Sequence, residues 1–464
     1  MGGNGDRPRR RRVLRLGGAL LAGGLAGCKL LPDAGGRSAT ATVTPAPVPT
    51  GNDAGSTTAS ASATATPPPP APGVTVTELL GPPEGDDGAH FGAAVAIDGD
   101  RALVGAPRDR FDGATTGAAY VFRHVGRSWR YVTTLRARTP AAWAALGRTV
   151  ALEGDWILVG APGETHARGN RAGTVHVFEH TDSGWTPATK LYPADGQGER
   201  FGTAIALHDG VAIVGSTPLH RVDAPLSGSA YVFERRAGGW EQTAKLRPAG
   251  GDPRDVFGDA VCLRGDRALV SAPRTRREAD GARAGAVYVF ERRETAWSQA
   301  AVLTLADGDR DDPVGGDAFG ESLALVGHLA IVGARGYAHR SGERAGAVVV
   351  FERSGADWSR VATLLPPDGA AGDRFAHAVA IEDGTIVAGA PGDATPDGEA
   401  TGAAYLFEPD GGSWTFRGTV RLDRAEANDR FGAAVALDGD RGLIGAVGDT
   451  DLDGAVGSAA VLDM

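Results

Sequence analysis

Residues 91–107 read FGAAVAIDGDRALVGAP, and versions of this stretch recur along the whole chain. Two short apolar segments, AAVAI and RALVGA, flank the turn DGD, whose Asp and Gly tolerate positive backbone φ angles. The pattern is typical of a β-hairpin. None of its side chains forms a nucleophile–base pair or a metal-ligand cluster, so the stretch indicates a repeated structural unit.

The Phe-Gly pair that opens this stretch recurs at a nearly constant spacing. It begins at residues 91, 201, 257, 319 and 431, with degenerate versions at Leu146-Gly147 and Phe375-Ala376, and successive spacings are 55, 55, 56, 62, 56 and 56. A GAP-like triplet, a GAAYVF-like segment and a tryptophan (129, 185, 240, 297, 358 and 414) follow in register. The chain therefore contains seven copies of one unit.

Each unit reads as four strands. The first three are apolar on both faces, whereas the fourth, WRYVTTL in the first unit, alternates and is expected at the outside of the sheet. Four-stranded sheets repeated around an axis form a β-propeller of typically 4–8 blades. The predicted fold class is therefore all-β, a seven-bladed propeller of four-stranded blades over residues 74–464.

The two ends of the repeat region complement each other. The last unit ends in GSAAVLDM and lacks a fourth strand, while VTVTELL at residues 74–80 aligns with the missing one. We expect this N-terminal strand to close the last blade, which would pair an otherwise open sheet edge.

The segment before the propeller has the composition of a targeting signal followed by a linker. Residues 1–27 combine an arginine cluster, a short apolar run and LAG before Cys28. This is typical of a signal peptide, and LAGC resembles the lipobox of lipoproteins, in which Cys28 would carry the lipid. RRRVL at residues 10–14 also resembles a twin-arginine motif, which leaves the export route open. Residues 28–73, rich in Ala, Thr, Ser and Pro, are expected to be a disordered linker.

The repeated FG and GAP elements resemble the FG-GAP repeat family, relatives of the integrin α-subunit propeller, over residues 74–464. The resemblance implies adhesion or binding of proteins or glycans outside the cytoplasm, with few enzymes. Integrin-type repeats carry a calcium loop between FG and GAP. Here that place holds only short turns such as DGD, so those calcium sites do not carry over.

Two other acidic loops offer alternating carboxylates that suit Ca²⁺. Asp449, Asp451 and Asp453 precede Gly454 in GDTDLDG, and Asp307, Asp309 and Asp311 lie in the insertion ADGDRDD. A metal-free acidic turn is the alternative at each place. Calcium is the one cofactor that the sequence suggests.

Charge and loop lengths bear on the partner. The formal net charge is −10 although residues 1–27 hold six Arg and one Asp, so the rest carries −15. Nucleic acid is therefore excluded as a partner, and the membrane is expected to be reached through the lipid alone. Loops between strands two and three and between successive units are long and often acidic, which favours a basic or cation-bridged partner there.

Two functions of different class follow. The first is a lipid-anchored, non-catalytic binding or adhesion module for a protein or glycan ligand, exported and facing the periplasm or cell surface. The second is an extracytoplasmic glycan-active enzyme built on the loops. No catalytic constellation is visible in the sequence, which favours the first. Trp143 and Trp156 lie outside the tryptophan register and are candidates for exposed contacts.

We expect that replacing Cys28 by Ser releases the protein from the membrane fraction, because the variant lacks the thiol that would carry the lipid. Fractionation of cells followed by immunoblotting measures this. A Cys28→Ser protein that stays with the membrane, beside an unprocessed wild type, would refute the lipoprotein prediction.

Overall fold

A computed structural model describes residues 68–464, apart from residues 84–88, 168, 197–198, 219–227, 251, 253–254, 277–280, 282, 306–317, 339–341, 395–399 and 450–456. All regular secondary structure in these residues is β-strand. They contain no helix that could span a membrane.

Seven four-stranded antiparallel sheets form the seven blades. The chain enters through β1 (Thr75–Leu80). Blades 1 to 3 contain, from the innermost strand outwards, β2 (Ala94–Asp98), β3 (Arg101–Ala106), β6 (Ala118–Val125) and β7 (Ser128–Leu135); β8 (Thr149–Glu153), β9 (Trp156–Ala161), β10 (Thr174–Thr181) and β11 (Gly184–Leu191); and β12 (Phe201–His208), β13 (Val211–Ser216), β14 (Ser229–Arg236) and β15 (Gly239–Leu246). The two-residue strands β4 (Arg110–Phe111) and β5 (Ala114–Thr115) pair in the loop between β3 and β6.

Blades 4 to 7 repeat the same order. They contain β16 (Val261–Arg264), β17 (Arg267–Ala272), β18 (Ala286–Arg293) and β19 (Ala296–Leu303); β20 (Phe319–Val326), β21 (Leu329–Ala334), β22 (Ala347–Ser354) and β23 (Asp357–Leu364); β24 (Ala378–Glu382), β25 (Thr385–Ala390), β26 (Ala403–Asp410) and β27 (Ser413–Val420); and β28 (Phe431–Asp438), β29 (Arg441–Ala446), β30 (Ser458–Asp463) and, outermost, β1.

The ring closes as the sequence predicts. β1 pairs antiparallel with β30, with Leu80 opposite Ala459, and Leu80 is 2% exposed. The innermost strands of neighbouring blades contact each other around the whole ring, including β28 of blade 7 and β2 of blade 1. The seven-bladed propeller and its closure by the N-terminal strand are therefore confirmed.

The Phe-Gly pair fixes each blade internally and to its neighbour. Phe91 is fully buried, and its ring lies edge-on to Tyr120 and Phe122 of β6, with centroids 5.3 and 6.2 Å away. Gly92 has φ +84°, and a Cβ there would lie within 3.0 Å of the Ser458 carbonyl oxygen in blade 7. A larger residue would therefore push two blades apart.

The chain before β1 also contacts the ring. The Ala71 amide donates to the Thr419 carbonyl oxygen of β27 over 3.0 Å, and the Thr419 amide donates to Pro69 over the same distance. Ala71 is 5% exposed and packs beside Gly418, where a Cβ would clash with it. Residues 69–71 thus form an N-terminal strap on the outer strand of blade 6.

The antiparallel order gives the ring two different ends. The turns between the first and second strands and between the third and fourth strands lie at one end, called here the hairpin face. The remaining connections lie at the other end, called here the long-loop face. On the hairpin face, acidic side chains brace neighbouring blades: Asp98 accepts from the Gly154 amide over 2.5 Å, and Glu153 accepts from the Asp209 amide over 2.9 Å.

We expect a chain that begins at residue 74 to melt slightly below one that begins at residue 68, because it lacks the N-terminal strap, and a chain that begins at residue 82 to melt well below both. Loss of β1 removes buried Leu80 and exposes the edge of β30. One buried leucine truncated to alanine costs about 2–5 kcal/mol, so we expect at least that loss. Thermal unfolding followed by circular dichroism measures it. Equal melting of the 74 and 82 forms would contradict closure by β1.

Candidate functional site

Of the residues predicted to bind calcium, only Asp449 lies in the described part of the chain. Its side chain is 1% exposed and accepts a hydrogen bond from the Ser458 hydroxyl, while its carbonyl oxygen accepts from the Gly457 amide over 2.7 Å. Asp449 therefore braces the start of β30. The other predicted residues, Asp451, Asp453, Asp307, Asp309, Asp311 and Cys28, lie outside the described residues. Calcium binding stays a prediction.

Asp449 occupies a position that other blades also fill with a buried acid. Asp109, Glu164 and Asp393 stand two residues after their GAP triplets and are 2–5% exposed. Asp109 accepts from the Tyr120 hydroxyl and, over 3.0 Å, from Arg136. The role is thus to tie the loop after the second strand to the third and fourth strands.

A second recurring acid precedes the Phe by two residues in blades 4, 6 and 7. The carboxylates of Asp255, Asp373 and Asp429 each accept from the backbone amide three residues earlier, over 2.9, 2.6 and 2.5 Å. All three are at most 5% exposed. They stabilise the connection that enters the blade.

In blade 6 the two acidic positions meet. Asp393 accepts from the Tyr405 hydroxyl and, over 2.6 Å, from Arg421, and Tyr405 also donates to Asp368 over 2.9 Å. Burial and the neighbouring carboxylates of Asp393 and Asp368 raise the pKa of Asp373 to about 7, although the Ala370 amide donates to it. Asp373 and Asp393 are 5% and 2% exposed, so this cluster is closed to a substrate.

Two aromatic side chains project from the long-loop face between blades 1 and 2. Trp143 is 67% exposed and Phe111 is 45% exposed. The Trp143 amide donates to the Thr115 carbonyl oxygen of β5 over 2.7 Å, and β5 pairs with Phe111 in β4. The Arg136 guanidinium lies 5.0 Å from the centre of the Phe111 ring. We call Trp143 and Phe111 the aromatic pair.

Trp156 lies instead at a cleft on the hairpin face. Its ring is edge-on to Trp240 at 6.0 Å, and Arg235 lies over it at 5.1 Å. Glu153, His208 and Asp209 beside this cleft offer ligand atoms within 4.8 Å of one another. The Glu153 carboxylate already accepts from the amides of Asp209 and Gly210, so its oxygens serve the turn of blade 3.

The inner edge of the long-loop face is rich in arginine. Three places in each unit form this edge: the residue before the Phe, the residue after the Gly, and the two residues that follow the second strand. Seven arginines occupy these places: Arg200, Arg374, Arg430, Arg148, Arg108, Arg274 and Arg335. Asp259 and Glu321 are the carboxylates at the same places. We call the seven arginines the arginine rim. Loop composition did not predict it, because the arginines are spread over all seven units, one in each.

We expect Asp373→Asn to stabilise the protein increasingly as the pH rises. The folded protein keeps the Asp373 proton up to about pH 7, whereas an unfolded aspartate ionises near 3.8. The wild type therefore loses stability between these two values, and the variant does not, since asparagine can still accept from the Ala370 amide. The difference in unfolding free energy should grow by about 2–3 kcal/mol from pH 5 to pH 8.

Urea unfolding of both proteins at pH 5 and pH 8 measures this difference, with Asp383→Asn at an exposed turn of the same blade as the control. A pH-independent effect of Asp373→Asn would show that the buried carboxyl is not protonated in the folded protein.

Comparison with known proteins agrees with this architecture. The model of the FG-GAP repeat matches residues 75–122, 129–178, 185–233, 240–290, 297–351, 358–407 and 414–462. No curated protein sequence matches the chain. Each match begins at an outer strand and ends in the third strand of the next blade, so the sequence unit is offset by one strand from the structural blade. The chain belongs to the FG-GAP repeat family.

Proposed function

We propose that this protein is a non-catalytic binding module that captures a protein or glycan ligand on its long-loop face. The exposure of Trp143 carries this proposal. A tryptophan that is 67% exposed leaves a large apolar surface in water, and aromatic residues of this kind are enriched at the centres of binding interfaces.

The backbone around Trp143 is held firmly. Trp143 and Ala145 have φ +63° and +55°, a left-handed conformation that is uncommon for a bulky residue. The Gly163 amide donates to the Ala144 carbonyl oxygen over 2.9 Å, and a Cβ at Gly163 would clash with Trp143. An exposed aromatic on a strained, fixed backbone is preorganised, which lowers the entropy cost of binding.

The family and the loop architecture support binding over the alternative of a glycan-active enzyme. Such an enzyme needs an acid and a base open to the substrate. Asp373, whose pKa burial raises to about 7, is only 5% exposed and therefore closed to a substrate. Its neighbours Tyr405 and Arg421 serve the packing of the blade.

Export and lipidation at Cys28 complete the proposal. A lipid on Cys28 and the linker to residue 67 would hold the propeller away from the membrane while leaving it tethered. Calcium at Asp449, Asp451 and Asp453, or at Asp307, Asp309 and Asp311, is the cofactor that we propose.

Capture of envelope proteins and glycans by immobilised full-length protein tests the function. We expect Trp143→Ala to weaken capture by at least about tenfold, since truncating a central interface aromatic costs about 2 kcal/mol or more. Tyr131→Ala is the control, because Tyr131 is 43% exposed on the outer strand of blade 1, away from the loops. Equal effects of the two variants, or none, would refute the assignment of the ligand to this face.

A further inference from the structure

The arginine rim lies where the innermost strands reach the long-loop face, around the axis of the ring. A contact joins the rim to the next blade: Arg335 follows β21 of blade 5, and its guanidinium lies 3.3 Å from Nδ1 of His377, which precedes β24 of blade 6. Arg148, beside β8 of blade 2, acts electrostatically on both His90 and His377. His90 and His377 precede the innermost strands of blades 1 and 6, so the charge of Arg148 reaches the entries of both blades.

Four of the rim guanidiniums are unpaired. Within the described part of the chain, the side chains of Arg148, Arg200, Arg374 and Arg430 make no direct hydrogen bond or salt bridge, although the Asp259 carboxylate attracts Arg148 and Arg200 electrostatically. Arg335, in contrast, pairs with Glu321. Each unpaired guanidinium retains its full set of N–H donors for a ligand.

The two histidines of the rim add acceptors instead of charge. Arg108 lies 3.1 Å from Nε2 of His90, and a guanidinium can only donate, so that nitrogen must accept. The same reasoning makes Nδ1 of His377 an acceptor. Burial, followed by the charge of Arg335 and further arginines, lowers the pKa of His377 to about 4. Both histidines are therefore neutral near pH 7 and orient the arginines beside them.

The balance of charge at this edge is opposite to that of the whole chain. Seven arginines face two carboxylates, an excess of five positive charges, whereas the full chain carries −10. Guanidiniums held side by side repel each other, and an anion that bridges them relieves this repulsion. Arginine matches the oxygens of phosphate in a bidentate manner, and several arginines suit a ligand with several such groups.

We propose that the arginine rim binds a multivalent phosphate, either a free polyphosphate or the phosphates of a phosphorylated glycan. This names the ligand chemistry of the face already proposed to bind and in that sense rests on the proposed function. Phosphate groups would occupy the centre of the ring, and the aromatic pair would contact the remainder of the ligand at the periphery.

Calorimetry of the purified full chain with inorganic tripolyphosphate tests the proposal. We expect binding that weakens with added salt, and a raised melting temperature when the ligand is present. The double variant Arg148→Gln with Arg430→Gln removes two unpaired arginines and should weaken binding at least tenfold. The control Arg130→Gln with Arg293→Gln makes the same charge change on exposed arginines of β7 and β18, outside the rim, and should leave the affinity within twofold.

A charge-preserving double variant, Arg148→Lys with Arg430→Lys, covers the case in which the glutamine variant fails to fold. It should bind with intermediate affinity, because lysine keeps the charge and loses the bidentate geometry. The proposal is overturned if tripolyphosphate does not bind at low salt, if both glutamine variants lose affinity equally, or if orthophosphate binds as tightly as tripolyphosphate.

Two further measurements separate the sources and the two proposals. Competition by poly(glycerol phosphate) at equal phosphate concentration would assign the site to a phosphodiester polymer, and its absence would assign it to free polyphosphate. Tripolyphosphate binding uses purified components only. Tripolyphosphate binding without capture of envelope components would support the arginine rim and count against the proposed function. Capture that depends on Trp143 without tripolyphosphate binding would do the reverse.

Discussion

The contact of backbone against backbone between neighbouring blades governs this structure. The FG glycine of one blade and the first residue of the GAP triplet of the preceding blade lie so close that a Cβ on Gly105 would clash with the Gly147 carbonyl oxygen, and one on Gly445 with Gly92. Six of the seven joints have a glycine at this GAP position, and the joint between blades 4 and 5 has Ser271 there. The small residues that make the repeat look chemically empty are the ones that this packing requires.

The same constraint explains why the fold was readable from the sequence. The Phe-Gly pairs at fixed spacing mark these contacts in the sequence. The number of strands per blade, the number of blades and the closure by β1 could therefore all be predicted. The role of the buried acids could not be predicted, because each depends on hydrogen-bond partners elsewhere in the sequence. Asp109, for example, accepts from Tyr120 and Arg136. Read alone, Asp449 resembles the first ligand of a calcium loop, which stays a prediction, and the structure adds its hydrogen bond from the Ser458 hydroxyl.

The charge at the centre of the long-loop face could not be predicted from the sequence for a related reason. The long loops are acidic along the chain, which predicted a basic or cation-bridged partner. The arginine rim is assembled from single residues about one repeat apart, such as Arg374 and Arg430, and topology alone gathers them. The described centre of the long-loop face thus has a sign opposite to the one that loop composition suggests, which favours an anionic ligand there.

Closure by β1 also has a consequence for biogenesis. Thr77 and Val461, which hydrogen-bond across the closing pair, are 384 residues apart in sequence. β1 is therefore synthesised long before β30, the strand with which it pairs. Until β30 is present, β1 cannot take its place as the outer strand of blade 7. Contacts of such high sequence separation form slowly, and unpaired strands invite association with other chains. The ring cannot be complete until β30 has been synthesised, so β1 lacks its native partner while all the blades between them form.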